Sequence, residues 1–123
     1  MNHSNDFNRL VANAKKNIKE VDVDQLNKQL EQAKEFILID VRESDEWFSG
    51  HLPNAIHLPR GVIERDIESI IKDKETEIIL YCGGGYRSAL SCDNLQKMGF
   101  SNVYSLAGGI KAWLDANLPL SNE

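Results

Sequence analysis

The stretch Ile78-Ile79-Leu80-Tyr81-Cys82-Gly83-Gly84-Gly85-Tyr86-Arg87-Ser88 decides how the rest of the chain is read. Ile78 to Tyr81 is a continuous apolar run, which suits a strand buried on both faces, as in parallel sheets. Three glycines follow Cys82. They let the backbone curl tightly and reach positive φ. Ser88 to Met98 then reads as a helix, stopped by Gly99, so Cys82 to Arg87 is expected to be the loop between strand and helix. Glycines leave successive backbone N–H groups free to point inward, and such a nest joined to a helix N-terminus binds anions. A sulfur at its centre has its thiolate stabilised, and Arg87 adds a permanent positive charge nearby. A cysteine at the end of a buried strand is by itself an ordinary core residue. The glycines, Arg87 and the helix start together mark Cys82 as a nucleophile.

Other uses of a glycine loop fail on detail. A phosphate-binding P-loop needs Lys followed by Ser or Thr at the helix start, and a dinucleotide fingerprint needs another glycine spacing. A zinc site needs more ligands than Cys82, Cys92, His51 and His57 supply in this pattern, so no metal and no organic cofactor is expected.

Outward from the loop, strand and helix signals alternate. Upstream, Phe36 to Ile39 is a second continuous apolar run, ending in Asp40. In an extended strand Asp40 and Arg42 share one face, and a buried charge must be paired. The pair is therefore expected to brace the neighbourhood of the loop. A short helix fits Glu43 to Ser49, ended by Gly50. Ala55 to Leu58 is a short apolar element, and Val62, Ile63, Ile67, Ile70 and Ile71 fit a further helix. Ile18 to Val21 reads as a first strand. Asp22 is an expected N-cap, with Gln25 completing a capping box and Leu26 and Leu30 facing inward. Downstream, Val103 to Leu106 is a last strand, and Gly108-Gly109 leads into a helix with Ile110, Trp113 and Leu114 inward. The alternation predicts an α/β layer structure with a mostly parallel sheet. Ligands then bind beyond the carboxyl ends of the strands, where Asp40 and Cys82 lie. Ahead of all this, Phe7, Leu10, Val11, Ala14 and Ile18 recur at helical spacing, which predicts a helical extension over residues 1–17 before a domain over 18–120.

The 123 residues suffice for one domain with one core. Apolar residues at 41% and charged residues at 27% describe an ordinary globular chain rather than a disordered one. The net charge of −5 argues against general affinity for nucleic acid or anionic membrane. Two cysteines, a polar N-terminus and short apolar runs point to a reduced, cytoplasmic protein without a membrane span.

Three segments then carry a resemblance. Leu38-Ile-Asp-Val-Arg-Glu43 with Glu46-Trp-Phe-Ser-Gly-His51 and Leu52-Pro-Asn-Ala-Ile-His57 resembles the first signature of rhodanese-homology domains. Ile79 to Ser88 resembles their active-site loop, and Leu106-Ala-Gly-Gly-Ile-Lys-Ala-Trp113 their C-terminal signature. The matches run in order from about Ile18 to Pro119. Asn54 and Asn117 stand where the family often has Gly, and both residue types tolerate left-handed backbone.

The resemblance implies a rhodanese-like three-layer sandwich, with a central, mostly parallel five-stranded sheet flanked by helices. It also implies a single-domain sulfurtransferase. Cys82 matches the residue that takes sulfane sulfur from thiosulfate or another donor as a persulfide, then passes it to cyanide or a thiol. The amides from Gly83, Gly84 and Gly85 through Tyr86 and Arg87 to Ser88 would hold the outer sulfur, with ping-pong kinetics. Arg87 binds the anionic donor or orients the loop by pairing with a carboxylate; the latter is favoured. Tyr86 is placed at the pocket mouth. His51 and His57 are expected to be structural, Trp47 and Trp113 to pack, and Cys92 to be core rather than a resolving thiol.

Two rivals stand. Phosphatases and arsenate reductases also use a Cys-to-Arg loop, one residue longer than the four residues here, which makes a larger cradle. A sulfur carrier or interaction module on the same fold would serve an acceptor protein.

Overall fold

A computed structural model describes residues 2–122. The elements run α1 Asn5–Lys15, β1 Lys19–Val21, α2 Val23–Glu31, β2 Ile37–Asp40, α3 Ser44–Phe48, β3 Ile56–His57, α4 Ile63–Ile70, β4 Ile78–Tyr81, α5 Tyr86–Lys97, β5 Val103–Leu106 and α6 Gly109–Asp115. The five strands form one sheet in the order β1-β5-β4-β2-β3, and every pairing is parallel. The chain leaves β2 toward the β3 edge and leaves β4 toward β5. The carboxyl ends of these two adjacent strands thus sit where the connections diverge, the place at which open parallel sheets bind ligands.

Alternation along β4 builds the two cores. Ile78 and Leu80 face Ile63 and Ile67 of α4 and Cys92 and Leu95 of α5. Ile79 and Tyr81 face Leu26 of α2 and Ile110 and Trp113 of α6. These layers account for the continuous apolar strands: both faces are covered, so no strand position in β4 is free to be polar. The expected capping box at α2 is formed, with Asp22 and Gln25 exchanging two hydrogen bonds of 2.8 Å. Asn54 and Asn117 take φ of 67° and 59°, the left-handed conformation for which Gly is the usual residue.

Several local expectations are corrected. Helix α5 starts at Tyr86, two residues ahead of the expected Ser88. Gly85 completes the reversal alone, at φ 94°, so Tyr86 and Arg87 belong to the first helical turn rather than to the loop. Leu114 is 47% exposed instead of inward. The buried stripe of α6 passes through Ile110 and Trp113, and one residue further turns the side chain by about 100°. Ile70 is exposed and Ile71 buried. The backbone at Ile71 is already extended, which returns its side chain to the core after the helix has ended. Leu10 also faces outward. Helix α1 is held by Val11 and Ala14 against Ala89 and Leu90 of α5, with Phe7, Ile18 and Tyr86 packed beside them. Among the described residues no helix is long and apolar enough to cross a membrane.

Candidate active site

The loop after β4 folds around one atom. The Cys82 Sγ accepts hydrogen bonds from the amides of Gly85 at 3.1 Å and Ser88 at 3.4 Å. The Ser88 hydroxyl lies 3.5 Å from the sulfur and 2.8 Å from the hydroxyl of Ser105 on β5. Donors from a turn and from the first turn of a helix thus converge on a single sulfur.

Of the three loop glycines only Gly85 has positive φ, so the expectation that all three supply left-handed backbone is too broad. Gly83 and Gly84 differ in another way. A Cβ on Gly83 would stand 3.1 Å from the Arg87 Nη2, whereas one on Gly84 would make only ordinary contact with the Tyr86 ring. The loop is also tied from below. The amides of Ile110 and Lys111 donate to the carbonyls of Cys82 and Gly83 at 2.9 and 3.0 Å. A Cβ on Gly109 would fall 2.5 Å from the Cys82 carbonyl oxygen, so the C-terminal glycine pair is the seat on which the loop rests.

Arg87 points into the site and is gripped by Glu46 of α3, with Nη1 to Oε1 at 2.8 Å and Nη2 to Oε2 at 3.2 Å. Hydrogen bonding from Arg87 holds the Glu46 carboxyl below the usual carboxylate range. In turn Glu46, and to a lesser degree the Cys82 sulfur, raise the Arg87 guanidinium above its ordinary value. Of the two roles open to Arg87, carboxylate pairing is therefore present in the geometry. Glu46 is a residue that sequence reasoning placed in a family stretch without a role. Its only local signal is its bond back to the Glu43 amide at the start of α3.

Above the sulfur lies a cavity of about 800 Å3, with Cys82, Gly83 and Gly84 at its floor. Glu46, Arg87 and Lys111 line one part of it; His3, Phe7 and Tyr86 line another. Tyr86 is thus one of the lining residues. His3 and Phe7 were not anticipated, because the contact joins segments far apart in the chain.

Asp40 and Arg42 sit beside this site rather than in it. Asp40 accepts from the Arg42 amide at 2.8 Å, from its Nε and from its Nη2, and from the Tyr81 hydroxyl at 2.7 Å. Arg42 also donates to the Gly50 carbonyl at 2.7 Å. Burial and the Asp40 charge push the Tyr81 phenol up, so it stays protonated and donates. Asp40 is in register with Tyr81, the residue immediately before Cys82. The histidines are engaged elsewhere. His51 and His57 both stack on Trp47, with centroids 3.5 and 5.0 Å away, and His57 Nε2 bonds the Arg42 carbonyl. Cys92 is fully buried, and burial pushes its thiol up to about 12.

A family model described as "Rhodanese-like domain" matches residues 22–116. The chain belongs to the rhodanese-like family. Among curated relatives, a sulfurtransferase of Allochromatium vinosum is 33% identical over 84% of this chain and 94% of its own length. The thiosulfate sulfurtransferase GlpE of Coxiella burnetii is 33% identical over 69% of this chain and 78% of its own. Among solved structures, the polysulfide-sulfur transferase homodimer of Wolinella succinogenes superposes with a TM-score of 0.78 at 30% identity. It covers 94% of this chain and 86% of that one. The rhodanese-like match spans α2 to α6 and contains the Cys82 loop, Glu46 and the Gly108-Gly109 seat; His3 and Phe7 lie outside it.

Proposed function

We propose that this rhodanese-like chain transfers sulfane sulfur through a persulfide on Cys82. The observation that carries the reading is the convergence of the Gly85 and Ser88 amides on the Cys82 Sγ, beside Arg87. In the first half-reaction the Cys82 thiolate attacks the sulfane sulfur of thiosulfate. A Cys82–sulfur bond forms, the S–S bond of the donor breaks, and sulfite leaves with the electron pair. In the second, a thiolate or cyanide attacks the outer sulfur, and the electron pair returns to Cys82. No net oxidant is consumed. The outer persulfide sulfur is an anion, and the loop amides from Gly83 to Ser88 are the donors available to hold it.

In this reading Arg87, clamped by Glu46, is a positioning residue that keeps a cation beside the sulfur. Asp40 and Arg42 brace the strand end that presents Cys82, and Cys92 stays out of the thiol chemistry. Residues 1–17 are an extension of the domain formed by residues 18–120. The acceptor is a small thiol, or the thiol of an acceptor protein. A phosphatase reading is disfavoured by the four-residue spacing between Cys82 and Arg87, which closes the cradle around one sulfur rather than a tetrahedral anion.

The test is to incubate the protein with thiosulfate and weigh it. Addition of one sulfur is expected in wild type and none in Cys82→Ser. Equal loading of the variant, or efficient Cys82-dependent hydrolysis of an aryl phosphate, would overturn the proposal.

A further inference from the structure

The cavity above Cys82 is much larger than the proposed inorganic donor requires. Sites for organic ligands occupy about 300–1,000 Å3, and the cavity here, at about 800 Å3, falls within that range. Its lining is also divided. The charged groups Glu46, Arg87 and Lys111 contrast with an aromatic group, His3, Phe7 and Tyr86. The three aromatic rings touch one another. The His3 and Tyr86 centroids are 4.4 Å apart, those of His3 and Phe7 5.0 Å, and Phe7 stacks on Tyr86 at 5.9 Å with 13° between planes.

This wall is fixed in place. Ser4 caps α1 by accepting from the Phe7 amide at 3.1 Å, which sets the direction in which Phe7 leaves the first turn. Farther along, Val11 and Ala14 bury against α5, and Gln96 donates to the Asn17 carbonyl at 2.7 Å. Lys15 Nζ lies 5.5 Å from the Tyr86 ring centroid and adds a cation–π contact to the same ring. The extension thus delivers two rings to the mouth of the site, although it lies outside the residues that carry the family match.

We propose that His3 and Phe7, with Tyr86, are specificity-determining residues, and that they bind the carbon body of an organic thiol acceptor while its sulfur faces Cys82. This rests on the reading of Cys82 as the sulfur carrier. Offset-stacked and edge-on aromatic contacts are favourable for a ring or a flat apolar chain, while cyanide is too small to use them. The transfer itself is balanced: the acceptor thiolate attacks the outer sulfur of the Cys82 persulfide, forming an organic persulfide and releasing the Cys82 thiolate.

The experiment loads Cys82 with thiosulfate, removes the excess, and follows discharge of the persulfide by mass spectrometry with either cyanide or benzyl mercaptan. The quantity read is the ratio of the two second-order rate constants. Phe7→Ala is expected to lower the benzyl mercaptan to cyanide ratio about tenfold and His3→Ala about threefold, with Phe7→Trp restoring it, in keeping with aromatic contact energies. Leu10→Ala, on the exposed side of α1, is the reference variant. Should Phe7→Ala fail to fold, His3→Ala decides, since His3 precedes the helix. A chain that loads and discharges sulfur with an unchanged ratio in the variants overturns this inference alone. A wild-type chain that takes up no sulfur overturns the Cys82 reading and this inference with it.

Discussion

Two strand ends lie side by side in this fold, and they use polar groups in opposite ways. After β2, Asp40 and Arg42 are buried and answer each other: the carboxylate accepts from the guanidinium and the Tyr81 hydroxyl, and the guanidinium also donates to the Gly50 carbonyl. After β4, the donors from Gly85 and Ser88 aim at the Cys82 sulfur, which lines a cavity together with Arg87. A buried charge paired on every side is spent on structure. The donors at Cys82 instead converge on a sulfur that lines a cavity. Proximity to a strand end is therefore not what separates the two; Cys82 lines a cavity and Asp40 does not.

The comparison breaks most sharply at Cys82. Cys82→Ser is expected to lose sulfur transfer by about a thousandfold or more while melting close to wild type, measured by thiocyanate formation and thermal unfolding. At the β2 end the effect should instead be on stability. Asp40→Ala strands a buried guanidinium and is expected to cost about 3–5 kcal/mol, read from the urea midpoint. A result in which Asp40→Ala keeps its stability but loses activity would make that pair chemical after all.

The seat beneath the loop gives the next largest effect. Gly109→Ala meets the Cys82 carbonyl oxygen at a positive φ of 59°, and a loss of about 1–3 kcal/mol is expected, together with reduced activity. Gly84→Ala, which meets only ordinary contact, serves as its near-neutral counterpart.

The smallest effect concerns Glu46 and Arg87. The Glu46 carboxyl is held below its unfolded value, so its contribution is complete above the ordinary glutamate range of about 4.3 and is lost as pH falls through the lower folded value. Both side chains are about a third exposed, so the stability involved is small. The difference in melting temperature between wild type and Glu46→Gln should be constant from pH 8 down to about 5 and vanish in stronger acid. A difference that widens on acidification would sink the assignment.

Much of this was legible in the sequence because it is local. The two continuous apolar runs, the capping box at Asp22 and the order of Cys82, three glycines, Arg87 and Ser88 specify strands, a helix start and a glycine turn without reference to the rest of the chain. Asp40 and Arg42 were legible as a pair because a buried charge needs a partner, although β2 ends at Asp40 and Arg42 lies in the bend beyond it. The start of α5 at Tyr86 was not, since it depends on the single residue at which the chain takes positive φ, and three adjacent glycines offer that choice equally.

By itself, then, the sequence determined the parallel α/β architecture and singled out the Cys82 loop, through periodicity, turn residues and the composition of one loop. Only the tertiary structure decided that Glu46 clamps Arg87, that Gly109 supports the Cys82 carbonyl, and that His3 and Phe7 reach the mouth of the site. Those contacts join residues distant in the chain, and no local pattern encodes them. They exist because α3, α6 and α1 are packed around the carboxyl end of β4, and that packing is a property of the whole core.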